Sequence, residues 1–276
     1  MRVSISNIAW ETTHDEQVCG ILQRHGVDAI DIAPGKYFSD FAEASVEHIA
    51  RVRSWWSERR IEIIGMQSLL YGTQGLNLFS EPDVQQRMLD HLQEVCRIGD
   101  ALNARRLVFG SPRNRDRSGL SDEQAFEKAI SFFRRLAELA QGHGVTICLE
   151  PNPECYGSNF MTSSTETAAV VEAVAHPAIK MQFDTGALSI NGESPSTICS
   201  EFRSLIGHVH ASEPQLVPVG TGATDHPVSA AALQEFLPDA PVTIEMLTNS
   251  TDDPMAAVEA SVVHVVACYG SAAREQ

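Results

Sequence analysis

VTICLEPN (145–152), IKMQFDT (179–185), GHVHASE (207–213) and PVTIEML (241–247) are four short, largely apolar runs, each carrying a hard-cation ligand near its end. Those residues are Glu150, Asp184, His210 and Glu245. Runs of this length, rich in apolar and β-branched residues and bounded by turn formers, read as buried strands. Helical patterns follow or separate them at TETAAVVEAVA (165–175), TICSEFRSLI (197–206), SAAALQEFL (229–237) and DPMAAVEASVVHVVACYG (253–270).

The first half has the same alternation. RVSISNIAW (2–10), DAIDIAP (28–34), IEIIGMQSL (61–69) and RRLVFGSP (105–112) read as strands. HDEQVCGILQRHG (14–26), ASVEHIARVRSWWSERR (44–60), EPDVQQRMLDHLQEVCRIGDALNA (81–104) and SDEQAFEKAISFFRRLAELAQGHG (121–144) repeat apolar residues every three to four positions, as helices do. Gly26 sits where a helix C-terminal cap belongs, Ser121 opens a helix, and Gly142 and Gly144 close it. Eight βα units in strict alternation predict a parallel sheet closed into one (β/α)8 TIM barrel over residues 1–276. A doubly wound open sheet would place a Gly-rich phosphate turn after the first strand, where this chain has AWETTHDE (9–16).

Composition narrows the function classes. Lys plus Arg is 20 against 36 Asp plus Glu, a formal charge of −16. A field of that sign repels phosphate backbones and anionic lipid surfaces, which argues against nucleic acid and membrane partners. No stretch approaches the roughly 18 apolar residues of a membrane span. MRVSISNIAWETTHDE (1–16) lacks the apolar run of a signal peptide, and Cys19, Cys96, Cys148, Cys155, Cys199 and Cys268 form no CxxC pair. A cytoplasmic protein with reduced thiols is expected.

In a parallel barrel, successive strand ends are neighbours on the C-terminal rim, where barrel enzymes keep their sites. Glu150, Asp184, His210 and Glu245 would therefore converge. Three carboxylates and an imidazole are mostly hard oxygen donors, suited to Mn²⁺, Mg²⁺ or Co²⁺ more than to structural Zn²⁺. Any one of them also fits a solvated rim residue, and Asp184 before Thr-Gly also fits a helix N-cap.

The segments ICLEPN, MQFDTG, GHVHASEP with the later GTG, and VTIEM are similar to those of the xylose isomerase-like barrel superfamily. Within it the chain resembles the sugar (phosphate) isomerase/epimerase branch that includes D-tagatose 3-epimerase-type enzymes. The resemblance spans nearly the whole chain and implies one divalent metal, commonly manganese, held by Glu150, Asp184, His210 and Glu245. It further implies that Glu150 and Glu245 exchange a substrate proton through an enediolate, on a sugar or related keto-polyol. Homodimers are common in this branch. Two residues depart from the epimerase pattern: a His expected three positions after the metal-binding Asp is Ala187, and an Arg expected after HxHxxE is replaced within Pro214, Gln215 and Leu216. Ordinary free-ketose 3-epimerisation is therefore not implied. A dehydratase or lyase on a keto-polyol uses the same metal and base, and a non-catalytic binding protein of the same fold is the alternative from another class.

Other candidates fall on the same rim. Arg113, with Asn114 and Arg115 nearby, could grip hydroxyls or an anion, and Gln67, Ser68 and Tyr71 follow strand three. Asn152, Glu154 and Asn159 are polar positions after Glu150; Glu213 could orient His210 or bind substrate. Period-two alternation puts His208 on the face of His210 but one layer deeper, as a core histidine supporting the site from behind. Trp10 and Phe109 read as an apolar wall or as core. His14, His25, His48, His91, His143, His176, His226 and His264 read as surface or helix residues.

Overall fold

A computed structural model of the chain describes residues 1–270. Eight strands pair in parallel and in sequence order, and the last closes on the first. They are β1 Val3–Ser6, β2 Ala29–Ile32, β3 Glu62–Met66, β4 Arg106–Phe109, β5 Thr146–Leu149, β6 Ile179–Asp184, β7 Ile206–Ser212 and β8 Val242–Glu245. The helices are α1 Asp15–Arg24, α2 Val46–Glu58, α3 Pro82–Leu102, α4 Asp122–Gly142, α5 Ser164–Val174, α6 Thr185–Asn191, α7 Pro195–Phe202, α8 His226–Phe236 and α9 Pro254–Tyr269. Among the described residues, no helix is long and apolar enough to cross a membrane.

Local chemistry accounts for the helix ends. Ser121 caps α4 by accepting from the Gln124 amide, and the Gln124 side chain accepts from the Ser121 amide in return. The partner is Gln124, because the third helical position, and not Glu123 at the second, reaches back to the cap. After α1 the chain reverses through Gly26 at φ +68°, a left-handed conformation that glycine adopts without steric cost. Along α3, Met88, Leu89, Leu92, Val95, Cys96 and Gly99 are buried, which is the helical period of its inward face.

Three expectations need adjustment. The first strand stops at Ser6 and continues as a 3-10 turn over Asn7–Ala9, with the Ser6 hydroxyl accepting from Ile8. The sixth helical pattern ends at Phe202, so Arg203–Leu205 form the turn into β7. A short helix outside the eight patterns, α6, begins directly after Asp184, which is its N-cap as one of the two readings of that residue had it. The carboxylate accepts from the Ala187 amide, satisfying one of the free donors of the first turn, and a seven-residue helix follows.

The β6–β7 pairing carries a register shift between Met181 and Gln182. From there Gln182 lies opposite His208 and Asp184 opposite His210. This bulge keeps Asp184 level with His210 at the rim; an unbroken register from Met181 and Ile206 would displace it by one residue, to the other face.

Candidate metal centre and its cavity

Glu150, Asp184, His210 and Glu245 each offer a ligand atom, and these atoms all lie within 4.8 Å of one another. His210 is fully buried, with Nδ1 at 3.4 Å from Glu150 Oε1, 3.9 Å from Asp184 Oδ2 and 3.3 Å from Glu245 Oε2. Glu150 Oε1 and both ring nitrogens of His210 have no hydrogen-bond partner among the described residues. Unpartnered buried polar atoms converging on one point are expensive unless a ligand satisfies them.

Electrostatics reinforce this geometry. Burial, then repulsion from Glu245 and Glu150, pushes the Asp184 carboxyl up to about 8. Burial alone would depress the His210 imidazole, but Glu245 and Glu150 overrule it and hold it well above its ordinary value. Burial would raise Glu245, yet His210 and the Gln67 amide hold it below the usual carboxylate range. The protein alone therefore compensates crowded negative charge with retained protons. A divalent cation would do so directly, and the donor set fits one.

Supporting contacts fix the carboxylates. Gln67 Nε2 donates to Glu245 Oε1 at 2.6 Å, and Asn152 Nδ2 donates to Glu150 Oε2 at 3.1 Å. Asp184 Oδ1 accepts from the Ala187 amide at 2.6 Å and Oδ2 from the Ser212 hydroxyl at 2.8 Å. Gly110 stands beside Glu150, and a Cβ there would collide with Oε2. In Gly110→Ala the flexible carboxylate would swing aside, so metal affinity is expected to fall about 10- to 100-fold with little loss of stability. Calorimetric titration with Mn²⁺ checks this, and an unchanged affinity would contradict it.

His208 lies beneath, as alternation predicts, with its Nε2 at 2.6 Å from Asp31 Oδ2 on the opposite side of the barrel. Both side chains are completely buried. Its ring stands edge-on to His210, centroids 5.3 Å apart. Asp31, on β2, was not a sequence candidate.

Glu213 lines the cavity, and its carboxylate is anchored to a neighbouring loop. It is buried, and its Oε1 accepts from the Gly220 amide at 3.1 Å and the His226 ring at 3.2 Å. Oε2 accepts from the Thr224 amide at 2.9 Å, so this carboxylate clasps the 220–226 loop. Burial works to raise it, but those amides and His226 hold it low. His226, read from sequence as a surface or helix residue, is the first residue of α8 but buried, with the Tyr269 hydroxyl at 2.8 Å from Nδ1. With that hydroxyl donating to Nδ1, Nε2 carries the hydrogen that reaches Glu213; burial keeps the ring below its usual value and neutral.

Both depressed pKa values give one sign: stability is present above the unfolded-state values, near 6.5 for His226 and 4.5 for Glu213, and is lost as pH falls through the folded ones. Glu213→Gln would turn an amide NH₂ toward the Thr224 amide, or toward the Gly220 amide and the His226 ring, and is expected to cost about 1–3 kcal/mol. Urea titration at neutral pH measures it; an unaltered midpoint would remove the clasp from the account.

The remaining candidates divide. Arg113 is exposed and lies outside the cavity lining, because the 3-10 turn Pro112–Arg115 directs it to solvent. Arg115 on the same turn is fully buried and donates from Nη1 to the Glu150 carbonyl at 2.7 Å, with Nε and Nη2 unpartnered. Trp10 is buried, away from the cavity lining, and donates to Asp15 at 2.7 Å; Phe109 does line the cavity. Glu154 is exposed, and Asn159 bonds Arg117 and Asp116.

The four clustered residues border a cavity of about 400 Å³: Glu150, Asp184 and Glu245 line it, and His210 lies just beneath. Gln67, Asn152 and Glu213 line it as well. Tyr156, which no sequence signal marked, joins the wall and accepts from the Gln215 amide at 2.6 Å.

The family model of the xylose isomerase-like TIM barrel matches residues 19–264. The chain belongs to that family. Its barrel is similar to a D-psicose 3-epimerase from Clostridium cellulolyticum H10, solved with D-tagatose, at TM-score 0.81 and 18% identity, covering 98% of this chain and 100% of the other. An L-ribulose 3-epimerase matches at TM-score 0.81 and 17% identity over 100% and 99% of the two chains. A 3-keto-D-glucoside 4-epimerase from E. coli matches at TM-score 0.79 and 15% identity over 97% and 100%. At these identities the likeness establishes the family's barrel architecture.

Proposed function

We propose that this barrel is a divalent-metal-dependent isomerase or epimerase acting on a sugar or keto-polyol. The observation that carries this reading is the meeting of three carboxylates and one imidazole within 4.8 Å at the floor of a ligand-sized cavity. Similar folds among the solved structures belong to a psicose, a ribulose and a keto-glucoside epimerase, which supports the same chemical class.

In this reading Asp184 and His210 hold the cation, with Glu150 and Glu245 completing its ligand set. Mn²⁺ is the favoured ion, since three oxygen donors outnumber one nitrogen. A bound cation supplies Lewis acidity that polarises a carbonyl and its neighbouring hydroxyl. The protein's own residues perform the proton steps. One of Glu150 and Glu245 removes the proton from the carbon beside the carbonyl, and the other, or the same group, returns it. Gln67 holds Glu245 through Oε1, and Asn152 holds Glu150 through Oε2, so each carboxylate keeps its second oxygen toward the cluster. Such fixed positions remove the orientational entropy of the step. All six cysteines are unpaired, in keeping with the cytoplasmic location we assign.

The test is solvent exchange of α-protons in D₂O across a panel of keto-sugars, followed by NMR on Mn²⁺-loaded and EDTA-treated protein. Deuterium incorporation that requires the metal is expected. Exchange that persists undiminished without metal would refute the proposal.

A further inference from the structure

Once the site carboxylates are set apart, the cavity walls have an unusual chemistry. Among the described residues lining it, none is Lys, Arg or His. Four carboxylates line it, those of Glu150, Asp184, Glu213 and Glu245, and one divalent cation would offset two of their charges. Arg115, the nearest buried cation, lies behind the Glu150 carbonyl and outside the lining, and Arg113 faces solvent. A substrate phosphate or carboxylate would thus enter a negative pocket with no guanidinium or ammonium to receive it.

The outer wall is apolar. Leu69, Leu70, Phe109, Pro153, Ala187 and Leu216 line it. Several polar side chains in reach are partly committed: Gln67 Nε2 to Glu245, Asn152 Nδ2 to Glu150, and the Ser111 hydroxyl to Asn114 Oδ1 at 2.6 Å. Gln67 Oε1, buried and without a partner among the described residues, is left to receive a sugar hydroxyl. Tyr71 is 85% exposed and Tyr156 40% exposed, and both border this one cavity. Large apolar side chains held in solvent beside a pocket mark where an apolar part of a ligand rests.

We infer that the site takes an uncharged carbonyl sugar bearing an apolar substituent, such as an alkyl or aryl aglycone, with the substituent lying against the Tyr71–Tyr156 wall. The inference rests on the enolising function proposed above and names its substrate class. The polar sugar end meets the metal-site carboxylates, and the substituent replaces water on the apolar wall.

Two matched pairs of probes test it on the Mn²⁺-loaded protein: phenyl against methyl 3-keto-β-D-glucopyranoside, and D-fructose against D-fructose 6-phosphate. Calorimetry reads binding, and NMR in D₂O reads α-proton exchange. The phenyl glycoside is expected to bind about 10- to 100-fold more tightly than the methyl one, from burial of the ring. The phosphate is expected to weaken binding of fructose at least about tenfold through repulsion by the lining. Tyr71→Ala, at an exposed position, should shrink the phenyl-to-methyl ratio severalfold. A phenyl ratio near one, tighter binding of the phosphate, or binding of none of the four probes would overturn the inference. Binding in the expected order without exchange on any probe would sink the functional proposal alone and leave the substrate class standing.

Discussion

Glu245→Gln is expected to lower metal-dependent α-proton exchange by about 10²- to 10⁴-fold, the usual contribution of a positioned general base. Glu245 sits at the end of β8 and lines the cavity, with Oε1 fixed by Gln67 at 2.6 Å and Oε2 at 3.3 Å from His210 Nδ1. The substitution keeps the shape but replaces the basic oxygens and their charge with an amide. It also removes the ion-pair partner that holds the His210 imidazole up, so the metal must be shown to remain bound in the variant. Exchange is measured by NMR in D₂O at saturating Mn²⁺, beside Glu150→Gln. A large loss in either glutamate variant separates the two proton positions; wild-type exchange in both would remove these residues from the chemistry.

Mn²⁺ is expected to raise the thermal midpoint by roughly 5–10 °C at about 100 times its dissociation constant. At that ratio a ligand specific for the folded state contributes about 2.7 kcal/mol, and each kcal/mol moves a chain of this size by roughly 2–4 °C. The effect should be pH-dependent with a defined sign. Without metal, the Asp184 carboxyl is raised from 3.8 to about 8, so it favours the folded state below the unfolded value. That contribution fades across the window from about 4 to 8, because the unfolded chain releases its proton first. Metal binding displaces the proton that Asp184 retains, so Mn²⁺ competes poorly at low pH and gains as pH rises toward 8. Scanning calorimetry at pH 6, 7 and 8, with Mn²⁺ and with EDTA, reads both parts. An Mn²⁺-induced shift that shrinks as pH rises would contradict the assignment of Asp184 as a ligand.

The barrel and its rim were legible because two periodicities are written into the chain. Strand-length apolar runs alternate with helical ones, and a parallel barrel brings the same end of every strand to one rim. Glu150, Asp184, His210 and Glu245 needed only that rule. His208 needed one more, alternation along a strand, which gave its depth correctly.

Its partner Asp31 was beyond reach, since the contact spans the barrel between β7 and β2 and depends on strand tilt and register, including the register shift between Ile30 and Asp31. Arg113 and Arg115 have the same local chemistry, and only the 3-10 turn decides which faces solvent and which is buried under Glu150. Glu213 lines the cavity, and the loop that its carboxylate holds follows a path no periodicity describes. His226 does open a helix, one of the two readings given for it, but its burial comes from Glu213 and Tyr269, 13 and 43 residues away in the chain, which no local pattern marks.

Elemental analysis of the protein after loading with Mn²⁺ and exhaustive desalting counts the ions held at the four-residue cluster, with His210→Ala run in parallel. About one ion per wild-type chain is expected and close to none in the variant, which lacks the buried imidazole shared by all three carboxylates. Retention of no metal by the wild type, or of equal metal by His210→Ala, would contradict the metal site.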